Sequence, residues 1–540
     1  MSGAFFFGPI RGAGRRRLGL RLRGASAISQ CHIGRRAQMF ARPLCRTGRL
    51  RRVFGGCEQV QALAAKEDAS LPPLAVDLDG TLTFSDTLHE GCLAYVKTGL
   101  QDVVDLAARL GEGKAAFKRA VADRTDFDPA LLPYNMELLN YLKAQKRAGR
   151  TIALVTAADQ SIADAVAAHL GLFDMARGSQ HGVNLSGARK LAVIRQMLGD
   201  RFVYAGDGPV DAPIFAAAQS VILVGNVERL KPLLPAGKSI EQAFAVKRPG
   251  ARTWAKALRL QHWAKNVLVF VAPVLGFSYA TPTLAMNAVL LFFAMGILAS
   301  ATYIVNDLLD LPSDRQHPRK RHRPFAAGSI PPRDGAFAAI ALFALSALIS
   351  LALPIAAAAA LAAYAGVTLS YSLILKRQPI IDVFVLAGLF TLRVLAGSLL
   401  APQPVSPWLL TFSMLIFLGL AMVKRYAELN RVVQAGGTGV VSRGYTVRDL
   451  PLLLAAGIAS SFSAIVIFMV YLINEQYPRD IYTHPGMLWA LMPLVLIWIL
   501  RVWHLTVHGR MSEDPVVFAL KDRFSLLLGL LALLTLLAAT

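Results

Sequence analysis

Two hydrophobic textures divide the chain. Up to about residue 260 the pattern is that of a soluble α/β domain, with short apolar strands separated by helix-like stretches. Beyond it, apolar runs of roughly 20 residues recur, the length needed to cross a bilayer. Nine such spans are expected, at about 265–280, 284–304, 335–354, 356–375, 380–400, 407–423, 451–473, 486–503 and 519–539. The loops after spans two, four, six and eight contain Arg315 to Arg333, Lys376 and Arg377, Lys424 to Arg448, and Arg501 to Arg523. Those after the odd-numbered spans offer only Arg479. Basic loops stay on the cytoplasmic side, so this asymmetry puts the soluble domain and the basic loops in the cytoplasm. The expected domains are a tail over 1–70, an α/β domain over 72–235, a linker and interfacial segment over 236–260, and an all-α polytopic membrane domain over 261–540.

Composition supports this division. The chain has 540 residues, 55% of them hydrophobic, and a formal charge of +23. Its positive charges lie in the N-terminal tail and in alternate membrane loops. Lipid headgroups and anionic substrates therefore suit them better than nucleic acid does. The four cysteines, Cys31, Cys45, Cys57 and Cys92, have no paired metal spacing and imply no disulfide framework, which fits a reducing compartment. The tail is rich in Arg, with no Lys before Lys66 and no acid before Glu58. It reads as a disordered tail or as translated upstream sequence, with an organellar transit peptide as the alternative.

The chemistry concentrates at three places. The first is the stretch from Asn306 to Pro324, where acids appear just as a membrane helix should reach water. Asn306 and Asp310 are four residues apart on one helical face, with Asp307 beside them. Oxygen ligands grouped this way suit Mg²⁺ shared with substrate phosphates. Arg319, Lys320, Arg321 and Arg323 follow, able to hold phosphate oxygens by charge-assisted hydrogen bonds. The cations alone also fit a solvated positive-inside loop, whereas Asp at a membrane helix end is costly without a role. Pro312 breaks or kinks the helix between Asp310 and Asp314, which makes Asp314 the least secure ligand.

The second place is the soluble domain. The strand from Leu74 ends in Asp77-Leu78-Asp79-Gly80-Thr81; a second strand from Thr151 ends in Thr156. Lys190 opens a helix, and a third strand from Phe202 leads into Asp207 and Asp211. All follow strands or open helices, where open α/β sheets bind ligands. This ordered set resembles the haloacid dehalogenase superfamily of phosphatases. The resemblance implies a Rossmann-like domain with a helical cap between Phe84 and Gly149. It implies Asp77 as the nucleophile that takes the phosphoryl group and Asp79 as general acid and base, with Thr81, Thr156 and Lys190 binding phosphate. It also implies a Mg²⁺ site of Asp77, Asp207 and Asp211 with the Asp79 backbone carbonyl.

The third place is a second acidic site: Tyr371, Ser372, Lys376 and Asp382, then Arg393, with Lys424, Arg425 and Glu428 ending span six. Together with the Asn306–Asp314 motif and the run His317-Pro318 through Lys320 to Arg323-Pro324, it resembles the UbiA superfamily of intramembrane prenyltransferases. Within that superfamily it is more similar to the branch of decaprenyl-phosphate phosphoribosyltransferases. The resemblance implies Mg²⁺ on Asn306, Asp307, Asp310 and Asp314, with Asp310 and Asp382 as catalytic acids. Lys320 and Arg323 would bind the phosphates of phosphoribosyl pyrophosphate. Tyr371, Lys376, Arg393 and Lys424 would place a polyprenyl phosphate. The fused phosphatase-like domain implies a following step that removes the 5-phosphate, at the inner membrane of a bacterium. Two rivals remain: prenyl transfer from a polyprenyl diphosphate to an aromatic acceptor, which the single acid Asp382 disfavours, and a polytopic transporter with a regulatory soluble domain.

Overall fold

The computed structural model describes residues 71–96, 108–109, 111, 113–180, 182–275, 281–401, 403–434, 436, 439–440, 443–478, 482–511 and 514–539. The Arg-rich segment 1–70 lies outside the described residues. Six parallel strands form one sheet: β1 (Leu74–Val76), β2 (Ile152–Asp159), β3 (Met175–Ser179), β4 (Val203–Gly206), β5 (Ser220–Gly225) and β6 (Ser239–Ala245). Their order is β3-β2-β1-β4-β5-β6, with Leu74 in register with both Ile152 and Val203. Parallel strands covered on both faces need apolar side chains throughout, and β1, β4 and most of β2 are buried along their whole length. Leu74, Val76, Ile152 and Leu154 pack on one face with Leu138, Leu142 and Val166. Ala75, Val155 and Tyr204 pack on the other with Ile194 and Phe215. The sheet continues through β6, so the first part of the expected linker over 236–260 is a paired strand.

Between β1 and β2 the chain makes an insertion with α1 (Thr87–Val96) and α2 (Lys114–Arg124) before α3 (Met136–Arg147) returns to the sheet. Later helices used below are α4 (Gln160–Leu170) and α5 (Ala188–Leu198), on either side of the sheet.

After residue 281 the structure is helical. Among the described residues, seven helices are long and apolar enough to cross a membrane: α6 (Pro282–Leu309), α7 (Pro332–Ser350), α8 (Ile355–Leu373), α9 (Ile381–Ser398), α10 (Pro407–Gln434), and the apolar segments Val447–Gln476 and Pro485–Val507. The other two expected spans coincide with shorter pieces. One is a 3₁₀ stretch, Leu260–Phe270, continued by Val271–Leu275; the other is the 17-residue helix Arg523–Ala539. In the first, Lys265 and Asn266 are buried, which side chains of a lipid-facing stretch would not permit without partners. Conversely, Phe337, Ile340, Leu348 and Ile355 are 65–86% exposed, a surface that suits hydrocarbon and not water.

The α/β domain and the membrane bundle meet at the loop that follows α6. Arg315 donates a forked pair of hydrogen bonds to Glu90 of α1, at 2.7 and 2.6 Å. Gly328 packs against Phe84 and Pro133; its φ of +70° and the absence of a side chain allow that approach.

Candidate active site

The α/β site forms where strand order reverses, at the carboxyl ends of β1 and β4, the crevice where such sheets bind ligands. Asp77 follows β1, and Asp207 and Asp211 follow β4. One oxygen from each lies within 4.8 Å of the others, the only group of three or more potential His, Cys or acidic metal ligands among the described residues. Lys190, at the start of α5, reaches Asp77 at 2.8 Å and Asp211 at 3.8 Å. Thr81 donates to Asp207 at 3.3 Å, and the Tyr204 hydroxyl donates to Asp211 at 2.8 Å. Gly80 sits at φ +76°, and a Cβ there would overlap the Asp207 carboxylate.

Three carboxylates with one lysine leave negative charge in excess. Burial first, then the charges of Asp77 and Asp211, push the Asp207 carboxyl up to about 7. Asp211 is raised for the same leading reason. All-oxygen donors held this close, with charge uncompensated, fit Mg²⁺. Asp79 stands apart from this cluster: its carboxylate accepts the Thr87 N–H at 2.8 Å, at the start of α1. Burial, then Asp86, push its carboxyl up to about 8, despite the lowering effect of that hydrogen bond. Thr156 is fully buried, and its hydroxyl accepts the Ala158 N–H, so it lies within β2 rather than at its end. Sequence reasoning missed Lys118. From α2 it donates to the Ala157 carbonyl at 2.6 Å and to Asn184 at 2.9 Å. Burial lowers its pKa, and the charges of Asp79, Asp86 and Asp77 oppose that shift.

The membrane residues fall into three groups. In the first, α6 ends at Leu309 and a six-residue helix, Leu311–Gln316, follows with Pro312 in its first turn, where no intrahelical donor is needed. Asp310 caps both helices, and the Asp314 N–H donates to its carbonyl at 2.8 Å, so the break falls at Asp310. Asn306 and Asp310 meet at Lys376, whose ammonium lies 3.2 Å from the Asn306 oxygen and 2.7 and 3.0 Å from the Asp310 oxygens. Asp307 and Asp314 meet instead at Arg323, at 3.0 and 2.6 Å, and Arg259 also pairs with Asp307. Lys320 is more distant, 3.9 Å from Asp314, and 41% exposed.

The second group surrounds Asp382, which is fully buried. Arg425 donates to it at 2.7 Å, Arg443 approaches at 3.4 Å and the Tyr445 hydroxyl at 3.3 Å. Tyr371 accepts from Arg425 and Arg443 at 3.1 and 2.7 Å, and Glu428 accepts from Arg425 at 2.6 Å.

The third group holds the remaining two expected residues. Arg393 donates to Asn266 and Tyr364 at 3.1 and 2.7 Å, and Lys424 pairs with Asp514 at 3.1 Å. The four residues expected around a lipid phosphate are thus divided: Lys376 faces the first acids, Tyr371 the second, and Arg393 and Lys424 neither. Arg259, Lys265, Arg443 and Asp514 were not foreseen. Only long-range contacts join them to the site, 48 residues apart for Arg259 and Asp307 and 249 for Lys265 and Asp514.

Residues 267–538 match the UbiA prenyltransferase family. The chain belongs to that family. It is 38% identical over 460 residues to the uncharacterised protein y4nM of Sinorhizobium fredii, covering 85% of this chain and 89% of that one. An alignment of that length cannot be held by the UbiA half alone, so the relative extends into the α/β part as well. The nodulation protein NoeC of Azorhizobium caulinodans is 32% identical over 283 residues, with 52% of this chain and 91% of NoeC covered. The decaprenyl-phosphate phosphoribosyltransferase of Mycobacterium tuberculosis is 30% identical over 280 residues, covering 51% of this chain and 90% of that enzyme. Among solved structures, a UbiA homologue from Archaeoglobus fulgidus bound to GPP and Mg²⁺ aligns at 18% identity with a TM-score of 0.41, over 53% of this chain and 98% of that one.

Proposed function

We propose that this UbiA-family chain is a two-site enzyme of the bacterial inner membrane, with its α/β domain and basic loops on the cytoplasmic face. In the bundle, the phosphate oxygen of a polyprenyl phosphate attacks the anomeric carbon of phosphoribosyl pyrophosphate, and pyrophosphate leaves. In the α/β domain, which we read as a haloacid dehalogenase-like phosphatase, the 5-phosphate is then removed to give polyprenyl-phosphoryl ribose. Nine crossings complete the bundle in this reading, the segments near 260–275 and 523–539 being the two shorter ones.

The observation that carries the transferase half is the paired arrangement at the end of α6. Four oxygen-bearing side chains on consecutive turns are interleaved with cations from three other segments. Carboxylate and carbonyl oxygens suit Mg²⁺, so Asn306, Asp307, Asp310 and Asp314 are the residues that would hold it. Bound there, Mg²⁺ would neutralise charge building on the departing pyrophosphate. Arg323, Lys320 and Arg259 orient the donor phosphates, and Lys376 bridges this group toward the ribose. Asp382, enclosed by Arg425, Arg443 and Tyr445, fixes the position of Arg425 and Arg443 and, through them, of Tyr371. The likeness to decaprenyl-phosphate phosphoribosyltransferases supports the choice of donor and acceptor.

In the phosphatase half, Asp77 attacks phosphorus, and Asp79 donates a proton to the departing ribose oxygen. Asp79 then takes a proton from the water that cleaves the aspartyl phosphate. A carboxyl raised to about 8 is protonated at neutral pH, as the first of those steps requires. Lys190 and Thr156 bind the phosphoryl group, and Thr81 holds Asp207. Asp77, Asp207 and Asp211 would hold Mg²⁺, whose charge offsets that of the transferring group.

The test supplies purified protein with phosphoribosyl pyrophosphate, a polyprenyl phosphate and Mg²⁺, and weighs the lipid products. Formation of a ribosylated polyprenyl phosphate is the expected result. Consumption of a polyprenyl diphosphate with an aromatic acceptor instead would overturn it.

A further inference from the structure

Between Glu241 and Asp307 the sequence has no acid, but it has six cations: Lys247, Arg248, Arg252, Lys256, Arg259 and Lys265. The last two turn inward and meet carboxylates, Arg259 at Asp307 and Lys265 at Asp514, the latter at 2.8 Å. The first four stay exposed. Among the described residues, no carboxylate lies within ion-pair distance of any of them. A cation that needs only water can stand anywhere on a surface, so the place where these four stand decides what they do.

Their segment is pinned at both ends. The Val246 N–H donates to the Gly225 carbonyl at 2.9 Å, which ties it to the sheet. The Ser300 hydroxyl donates to the Leu258 carbonyl at 2.8 Å, which ties it to α6. Between these anchors lies the short helix Ala251–Ala257, begun after Pro249-Gly250 and stopped at Arg259, whose φ of +50° is left-handed. Trp254, Ala257 and Leu258 join one apolar cluster with Ile304 and Leu308 of α6 and Ala339 of α7. Arg252 and Lys256, four residues apart, share the opposite face and point away from the bundle.

The depth of this helix follows from its neighbours. Ser300 lies about 13 Å short of Leu309, where α6 ends, at about 1.5 Å per residue. On α7, Phe337 and Ile340 stand beside Ala339 in sequence and are each 66% exposed, an apolar surface suited to hydrocarbon. The outward face of the helix therefore stands where hydrocarbon gives way to headgroups. We infer that Lys247, Arg248, Arg252 and Lys256 form a docking surface for the anionic phospholipid headgroups of the membrane that the bundle crosses. Charge complementarity selects this occupant: headgroup phosphates at that level supply the counter-charge that no side chain offers, and long Lys and Arg side chains reach them while their stems lie along apolar surface. The segment leads straight out of β6, so the contact gives the α/β domain a hold on the membrane besides the Arg315–Glu90 joint, one that salt weakens. It stands whichever reactions the two sites perform.

Hydrogen exchange over residues 246–258 reads the contact on the full chain in nanodiscs. Discs of phosphatidylcholine alone are compared with discs in which about a third of the lipid is phosphatidylglycerol. One basic residue at an anionic surface gains about fivefold in binding, so the parent should exchange about fivefold more slowly here in the anionic discs. The difference should vanish in about 1 M NaCl, where the screening length is about 3 Å. Replacing all four at once, Lys247→Gln with Arg248→Gln, Arg252→Gln and Lys256→Gln, should abolish it. The swap Lys247→Arg, Arg248→Lys, Arg252→Lys and Lys256→Arg should keep it, and with the salt series it decides the matter if the Gln variant fails to insert. Equal exchange of the parent in both kinds of disc would make the patch a solvated face and overturn the inference. A difference that survives in the Gln variant would overturn it too, since other basic loops would then cause it. If inorganic phosphate or a single-stranded oligonucleotide slows exchange in phosphatidylcholine discs as much as phosphatidylglycerol does, the patch takes free phosphate or nucleic acid and the inference falls.

Discussion

In the α/β domain three carboxylates crowd together with one lysine, whereas at the end of α6 every acid meets a cation. Asp77 and Asp211 share Lys190, with Asp207 beside them; Asp307 meets Arg259 and Arg323, Asp314 meets Arg323, and Asp310 meets Lys376. The surroundings explain the difference. Behind β1 and β4, burial and mutual repulsion show as raised carboxyl pKa values for Asp207 and Asp211, a strain that a divalent cation would relieve. At the end of a helix apolar enough to cross a membrane, a buried carboxylate left unpaired is costly, so acids and cations arrive already matched. On the proposed function, metal and substrate therefore act differently at the two places. The α/β site adds a cation to an acidic cluster. The bundle site exchanges partners: its acids trade cations for metal, and its cations trade acids for phosphate.

The sharpest way to break this comparison is to remove one acid from the bundle. Asp310→Asn should lower lipid product formation about 100-fold or more, because one proposed ligand of a charge-neutralising metal is lost. Hydrolysis of a soluble phosphate ester by the α/β domain should be unchanged. Near-normal transfer at saturating Mg²⁺ would remove the end of α6 from the chemistry. Arg323→Ala tests the matching itself. It takes the shared cation from Asp307 and Asp314, both 3% exposed in their side chains, and should destabilise the bundle by about 3 kcal/mol, read as lower thermal stability in detergent. Loss of activity with full stability would show that the pairs serve only the reaction.

Much of this architecture was readable in the chain. β1, β4 and the first half of β2 are apolar runs, because strands buried on both faces have no polar side to show, and the acids that follow β1 and β4 mark the crevice. The long helices announce themselves by length. What could not be read is which cation meets which acid. Lys376 was expected to hold a lipid phosphate, yet it caps Asn306 and Asp310. Lys265 and Asp514 are too far apart in sequence for any local period to connect them. Lys118, on an insertion helix, carried no motif at all. Local sequence fixes strands and spans through periodicity, while ion pairing depends on how the spans are arranged.

Two smaller effects sharpen the account of the α/β side. Gly80→Ala puts a Cβ at a positive φ and into the Asp207 carboxylate, so it should cost about 1–3 kcal/mol and displace a proposed metal ligand. Weaker Mg²⁺ binding by calorimetry should accompany the lost stability. Glu90→Gln weakens the joint to Arg315 by about 1 kcal/mol and should leave each activity within about twofold when measured separately. It should raise hydrogen exchange in α1; unaltered exchange would show that this ion pair does not hold the domains together.

The central claim, that two sites in one chain act in succession, is tested most directly by weighing the lipid made by Asp77→Asn. A neutral amide is a poor nucleophile, so phosphoryl removal should stop while transfer continues. The account predicts that the variant still consumes phosphoribosyl pyrophosphate and accumulates a lipid heavier than the parent's product by about 80 Da, one HPO₃ unit. The same lipid species in the same ratio as the parent would contradict it, because the α/β domain would then act on some other substrate.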